Sequence, residues 1–339
     1  MIVDAIRMLI EGKSLDEESA QAVMTEIMEG RATDAQIGSF LTSLRLKGET
    51  VEEITAFTRV MRSKVTPVDY YSPGEVLDIV GTGGDGSGSF NISTACTFVA
   101  AGDGIPVAKH GNRSVSSLCG SADLLKELGV NIEASPETVS RCLDEAGICF
   151  IFAPLFHPAM KYAIGPRREM GIRTVFNILG PLTNPAGARY QLLGVYDRNL
   201  ISTLAGVLGR LGSKKAFVVH GHGNLDEISI SGPTDIACLH NGEVKAISIK
   251  PEDFGLEQRP VEAIRGGDAK TNSRILKEVL EGKPGPYREA VVLNSAAAIS
   301  AFKEGISISQ GIELAEKSID SGEALGKLEQ LIELSNQTE

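Results

Sequence analysis

The sequence predicts an α/β fold in which a small helical domain joins a larger α/β domain, with a mostly parallel central sheet and helices on both sides. Three observations carry this reading. Helix-start signatures crowd residues 1–65, a turn-forming stretch follows, and short apolar runs then alternate with helix-spaced segments. At 339 residues the chain exceeds the roughly 250 to 300 at which a single core stops growing, so two domains are expected, over 1–65 and 75–339.

The helical unit opens with Ile2 to Ile10. Three capping-box pairs come after it: Ser14 with Glu17, Thr33 with Gln36, and Thr50 with Glu53. Apolar residues recur at helical spacing behind these caps, as in Val23, Ile27 and Met28 or Ile37, Leu41 and Leu44. Lys64 to Glu75 mixes turn formers and reads as a linker.

The alternation beyond the linker predicts a strand at Leu77 to Val80, a helix from Ile92, a strand at Ile105 to Ala108, helices at Ala122 to Leu128 and from Pro136, and a strand at Ile148 to Phe152. Gln191 to Val195 and Phe217 to Val219 fit the same scheme, while Gly129 and Gly212 act as helix stops. From Glu227 to Ile249 the segments ISISG, DIACLH and VKAISI read as short antiparallel strands. The chain finishes in helices, one from Tyr287 through SAAAISAF and others after Ser307.

A net charge of −11 argues against general nucleic-acid affinity, which needs a basic surface. Five cysteines, an odd number without a CxxC pair, fit a reducing compartment and small core positions better than disulfides or zinc. The N-terminal segment lacks a signal-like pattern and no run approaches the ~20 apolar residues of a membrane span, so a cytoplasmic protein is expected.

Four stretches can carry chemistry. GTGGDGSGSFNIST, Gly81 to Thr94, sits at a strand-to-helix turn, where glycines let backbone N–H groups face an anion and the helix start adds its own. It lacks the closing Lys-Ser or Lys-Thr of a Walker loop. KHGNRSVSSLCG, Lys109 to Gly120, reads as a loop whose cations and hydroxyls either hold phosphate oxygens or merely decorate the surface. In the third, from His157 to Ala186, one of Arg167, Arg168 and Arg173 can pair with a substrate carboxylate, and spacing does not separate them. The fourth, Asp226-Glu227, is either a Mg2+ site completed by substrate phosphates or an acidic turn.

Taken together, GTGGDGSGSFNIST, KHGNRSVSSLCGSAD, HPAMK with GPRREMGIRTVFNILGPLTNPA, and the LDE before Ile228 closely resemble the anthranilate phosphoribosyltransferase family, in family order and over essentially the whole chain. The resemblance implies transfer of phosphoribose from 5-phosphoribosyl 1-diphosphate to anthranilate, with Mg2+ as cofactor. It further implies a homodimer formed through the helical domain, which takes in helices from about 158–185.

By position, the resemblance assigns Gly81, Gly84, Asp85, Ser89, Asn91, Ile92, Ser93 and Thr94 to the phosphoribosyl diphosphate. The same substrate would meet Lys109, His110, Gly111, Asn112, Arg113, Ser114, Val115, Ser116, Ser117 and Ser121. Gly81, Asn112 and Arg167 would face anthranilate, with Arg167 on its carboxylate. Metal ligands would be Ser93, Asp226 and Glu227. Lys109 and His110 are the candidates for a direct catalytic role. Departures from the family pattern are Ser89 for a common threonine, Leu118 for a polar residue and Asn224 for a usual glycine. A pyrimidine nucleoside phosphorylase, which shares the fold, and a noncatalytic nucleic-acid-binding relative are the alternatives. The first family is longer and differs at KHGNR; the second should carry a basic groove and degraded motifs.

Overall fold

The structure is a computed structural model that describes residues 1–72, 74–114 and 118–337. The N-terminal helices are α1 (Ile2–Ile10), α2 (Glu17–Met28), α3 (Asp34–Lys47) and α4 (Val51–Arg62). The boxes at Thr33 and Thr50 form as expected, each hydroxyl accepting the N3 amide while the Gln36 or Glu53 side chain accepts the cap amide. The Ser14–Glu17 box does not form. Asp16 caps α2 by accepting the Ser19 amide at 2.8 Å, and the Ser14 hydroxyl instead accepts from Lys47 Nζ.

Among the described residues seven strands follow: β1 (Leu77–Gly81), β2 (Val107–Gly111), β3 (Ile148–Phe152), β4 (Tyr190–Gly194), β5 (Lys215–Gly221), β6 (Thr234–His240) and β7 (Glu243–Ile249). They form one sheet in the order β3-β2-β1-β4-β5-β6-β7. The first five run parallel and β6 and β7 are antiparallel additions. The turn joining the last two carries Asn241 and Gly242 at positive φ, the pairing that a tight hairpin turn demands.

Two sequence expectations are corrected. The second strand begins at Val107 and runs through Lys109, His110 and Gly111, so these residues belong to the sheet and not to the loop. ISISG is not a strand: Ile228, Ser229 and Ile230 are all buried, and side chains rather than a ladder satisfy the amides of Ile228 and Ser229.

Helices α5 (Ile92–Gly102), α6 (Ser121–Glu127), α7 (Pro136–Ala146), α8 (Ala153–Phe156), α9 (Lys161–Met170), α10 (Phe176–Leu179), α11 (Leu200–Arg210), α12 (Ala269–Leu280), α13 (Pro286–Phe302), α14 (Ile308–Asp320) and α15 (Glu323–Asn336) complete the chain. Strand alternation sends Leu192, Phe217 and Ile236 into one core with α5, α7, α12, α13 and α15. Leu193, Val218 and Leu239 join the other, shared by α11, α9, α10 and the four N-terminal helices. Among the described residues no cysteine is in a disulfide; Cys96, Cys119, Cys142 and Cys149 are buried and Cys238 is half-buried. No described helix is long and apolar enough to cross a membrane.

Candidate active site

Parallel β1 and β4 stand side by side with Gly81 opposite Gly194, and the strand order extends in opposite directions from that pair. Their C-terminal ends therefore open a crevice of the type where α/β sheets take ligands. The glycine-rich loop lies there. Gly83, Gly84, Gly86 and Gly88 all adopt positive φ, which a residue with a Cβ rarely tolerates. The amides of Gly84, Asp85, Gly86 and Gly88 have no protein acceptor among the described residues. Ser87 donates its hydroxyl to that of Ser89, and Asp85 accepts the Ser87 amide.

The acidic pair closes on this loop from across the crevice. Asp226 Oδ2 accepts the Gly83 amide at 2.7 Å, and Glu227 Oε1 accepts the Ser93 amide at 3.0 Å on the first turn of α5. Such an approach requires glycine beneath it: a Cβ on Gly194 would stand 1.6 Å from the Asp226 carbonyl oxygen. Asn224 holds φ at +62°, so it occupies the left-handed conformation that glycine serves elsewhere and asparagine tolerates.

Lys109 reaches the same place from β2. Only 2% exposed, it donates from Nζ to the Ile79 carbonyl at 2.7 Å and to Ser93 Oγ at 3.3 Å. Burial lowers its pKa, opposed by the negative charges of Asp78 and Glu227. Burial likewise pushes Asp226 up to about 7, with Asp85 adding, and Glu227 up to about 8, with Asp226 adding. Burial thus disfavours the charged forms of two carboxyls and an amine that meet in one place. Thr94 lies buried on α5 with a hydroxyl that has no partner among the described residues, while Ile92 packs into the core beneath it.

On its other face β2 presents His110, whose Nε2 lies 3.0 Å from Nε2 of His157. Burial is the main reason both rings resist protonation, and it pushes His110 down to about 3 and His157 down to about 4. Asp78 braces this region, accepting the His110 amide at 3.3 Å, and burial raises its carboxyl to about 6. Neither Asp78 nor a role for His157 was assigned from sequence; a carboxylate inside an apolar strand run is the signal that could have marked the first.

The remaining residues are distributed as follows. Asn112 Oδ1 accepts the Arg113 amide, and its carbonyl accepts from the Ser121 hydroxyl. Arg113 pairs with Asp123 at 3.1 Å and lies over the Phe152 ring; Asp123 also accepts the Ser114 and Gly120 amides. A Cβ on Gly111 would strike Ser121 Oγ, so these two stand in contact. Asn91 is held by the Cys119 carbonyl and Asn272. Val115, Ser116 and Ser117 lie outside the described residues.

The three arginines separate clearly. Arg173 donates to the Gly84 carbonyl and covers the Tyr196 ring, and Arg168 is exposed. Arg167 is half-buried over the Phe176 ring, 5.1 Å from its centre, with no carboxylate in ion-pair reach among the described residues. Burial lowers its pKa.

Family comparisons agree with this geometry. A glycosyl transferase family helical bundle domain matches residues 3–65, and a glycosyl transferase family a/b domain matches 73–325. An anthranilate phosphoribosyltransferase from Desulforamulus reducens is 54% identical over 99% of this chain and 97% of its own length. One from Pelotomaculum thermopropionicum is 55% identical over the same shares. The chain belongs to the anthranilate phosphoribosyltransferase family.

Solved members of the anthranilate phosphoribosyltransferase family share the fold throughout. The Thermus thermophilus enzyme superposes with a TM-score of 0.93 at 42% identity, over 98% of this chain and 100% of that one. The Saccharomyces cerevisiae enzyme, in complex with PRPP and Mg, gives 0.90 at 31% identity, over 98% and 97%.

Proposed function

We infer that this chain transfers the phosphoribosyl group of 5-phosphoribosyl 1-diphosphate to the amine of anthranilate, releasing diphosphate, in tryptophan biosynthesis. The convergence of the glycine loop, the start of α5, Lys109 and the acidic pair on one crevice supports this most directly. As diphosphate leaves, negative charge grows on its oxygens, and the unpartnered loop amides and Lys109 are preorganised to receive it. Asp226 and Glu227, with the Ser93 hydroxyl, would hold Mg2+, since buried carboxylates pushed toward neutrality gain most from a divalent cation. When bound, Mg2+ supplies further neutralisation of diphosphate charge.

On the acceptor side, the half-buried Arg167 has a free fork for the anthranilate carboxylate. Phe176 supports the guanidinium from beneath, at 5.1 Å from its ring centre. His110 is a shaping residue. Its ring is buried against His157, Nε2 to Nε2 at 3.0 Å, and burial holds it neutral. An aromatic amine is already neutral at pH 7 and attacks without a base.

Two copies would associate through the helical unit, where Val3 and Ile10 on α1 and Leu46 on α3 stand exposed. A cytoplasmic enzyme without nucleic-acid partners fits the acidic surface charge.

Initial rates test the reading. Arg167→Ala should raise KM for anthranilate by about tenfold or more while KM for phosphoribosyl diphosphate changes little, as expected for a lost bidentate contact. Equal changes in both would remove the carboxylate assignment. Turnover of thymidine with phosphate, and none of anthranilate, would replace the reaction itself.

A further inference from the structure

The Asp226–Glu227 pair lies on a segment that no helix or strand holds in place. Its backbone is buried, and buried amides and carbonyls must find partners or cost the molecule stability. Ile228, next in sequence, finds both partners in a single side chain. Asn294 Oδ1 accepts the Ile228 amide at 2.7 Å, and Asn294 Nδ2 donates to the Ile228 carbonyl at 2.8 Å. The same Nδ2 donates to the Ala290 carbonyl one turn earlier in α13 at 2.9 Å, which fixes the side chain's own rotamer.

Asn294 is 0% exposed, in a helix whose neighbouring buried positions are almost all Ala, Val, Leu and Ile. A primary amide in such surroundings is tolerated only when its donors and acceptor are satisfied, and here they are. Its two bonds act at one residue and in opposite senses, so they fix both the position of Ile228 and the rotation of its peptide groups. That rotation sets the direction in which the Glu227 side chain leaves the backbone.

The neighbouring contacts leave little slack. Gly221 and Leu225 exchange amide-to-carbonyl bonds at 2.8 and 3.2 Å, closing the turn before the pair. Ser229 N donates to the buried Thr234 hydroxyl at 2.9 Å after it. Asn294 differs from these because it comes from another helix, 66 residues along the chain, and thus ties the acidic pair to the rigid α5–α13 layer.

We propose that Asn294 is a positioning residue that aims the Asp226–Glu227 carboxylates at the metal-bound diphosphate, through its two-way bond to Ile228. The inference rests on the reading of that pair as the Mg2+ site. Removing the clamp should weaken metal affinity about tenfold to 100-fold, the usual effect of losing a partner that orients metal ligands.

The test uses the full-length protein, with Mn2+ as the probe and inorganic diphosphate present, titrated by electron paramagnetic resonance. Asn294→Leu removes both bonds at nearly constant volume, and Asn294→Asp keeps the acceptor alone. Weakened Mn2+ binding in Asn294→Leu, a smaller loss in Asn294→Asp and an unchanged KM for anthranilate are expected. Should Asn294→Leu not fold, Asn294→Asp carries the test by the same readout. Parental Mn2+ affinity in a folded Asn294 variant overturns the positioning role, as does a parallel rise in every KM. Asp226→Asn is the control. Weakened binding there with Asn294 variants unaffected removes only Asn294, whereas unaffected binding in Asp226→Asn removes the metal reading as well.

Discussion

His110 and His157 show what burial does to a single side chain. Both are held neutral in the fold, at about 3 and about 4 against an ordinary 6.5, burial being the largest cause. Below about pH 6.5 the unfolded chain takes up protons that the folded chain refuses until near pH 4. The pair's own contribution to stability should therefore fall as pH drops through that window. Asp78, Asp226 and Glu227 act in the opposite sense, because their raised carboxyls, at about 6, 7 and 8, take a proton in the fold before they would in the unfolded chain. His157→Gln removes one of the two imidazoles, so its Tm should decline less than the parent's between about pH 6.5 and pH 4.5. Parallel Tm curves would take the histidine pair out of the acid response. At this scale the sequence announced the glycine loop, the acidic pair and the lysine, since each is a local string. It did not reveal that Lys109 and His110 are buried strand residues facing opposite sides, because a charged residue inside a strand looks like the start of a loop.

At the scale of elements, the helical unit is pinned by one buried carboxylate. Glu53, 0% exposed, accepts from Lys47 Nζ at 2.6 and 2.8 Å and from the amides of Leu15 and Thr50, each at 2.9 Å. It thus binds the start of α4 to the end of α3 and to the turn before α2. Glu53→Ala leaves a buried ammonium without its carboxylate and two amides without their acceptor, and should cost about 3–5 kcal/mol by denaturant titration. A cost below about 1 kcal/mol would class the pair with exposed ones. The Thr50–Glu53 box was legible because capping is a three-residue pattern; the reach to Lys47 and Leu15 was not. β3 has its expected ends, since the apolar run from Ile148 is bounded by Gly147 on one side and by Ala153-Pro154 on the other. ISISG misled because alternation of apolar and polar residues is the mark of a strand, whereas here Ser229 is buried with the isoleucines and the partner that holds Ile228 lies far along the chain. Helix α12 escaped notice although Asp268 caps it by accepting the Thr271 amide.

Across the whole molecule, the two cores do not follow the two family domains. Ala20, Phe40 and Phe57 of the N-terminal helices share a core with Ala163, Phe176 and Leu179, and with Leu193 and Leu204 of the sheet and α11. Residues 1–65 alone would expose that shared face, so as an isolated fragment they should melt without a cooperative transition by circular dichroism. A sharp transition would show an independent helical core. The order of strands was readable from the βα alternation only as far as parallel character. Placement of β1 between β2 and β4 depends on long-range packing that local patterns do not encode. Under the assignment proposed above, the site divides its recognition unequally: main-chain amides of the glycine loop would take the donor's phosphates, and side chains such as Arg167 and Phe176 would take the acceptor. Backbone groups are the same whatever residue carries them, so the phosphate half has almost no alphabet in which to vary. On that assignment, new acceptor amines would be admitted by changing a few side chains at and around Arg167 while the donor substrate stays fixed, and diversification of this scaffold would be channelled toward its nucleophile.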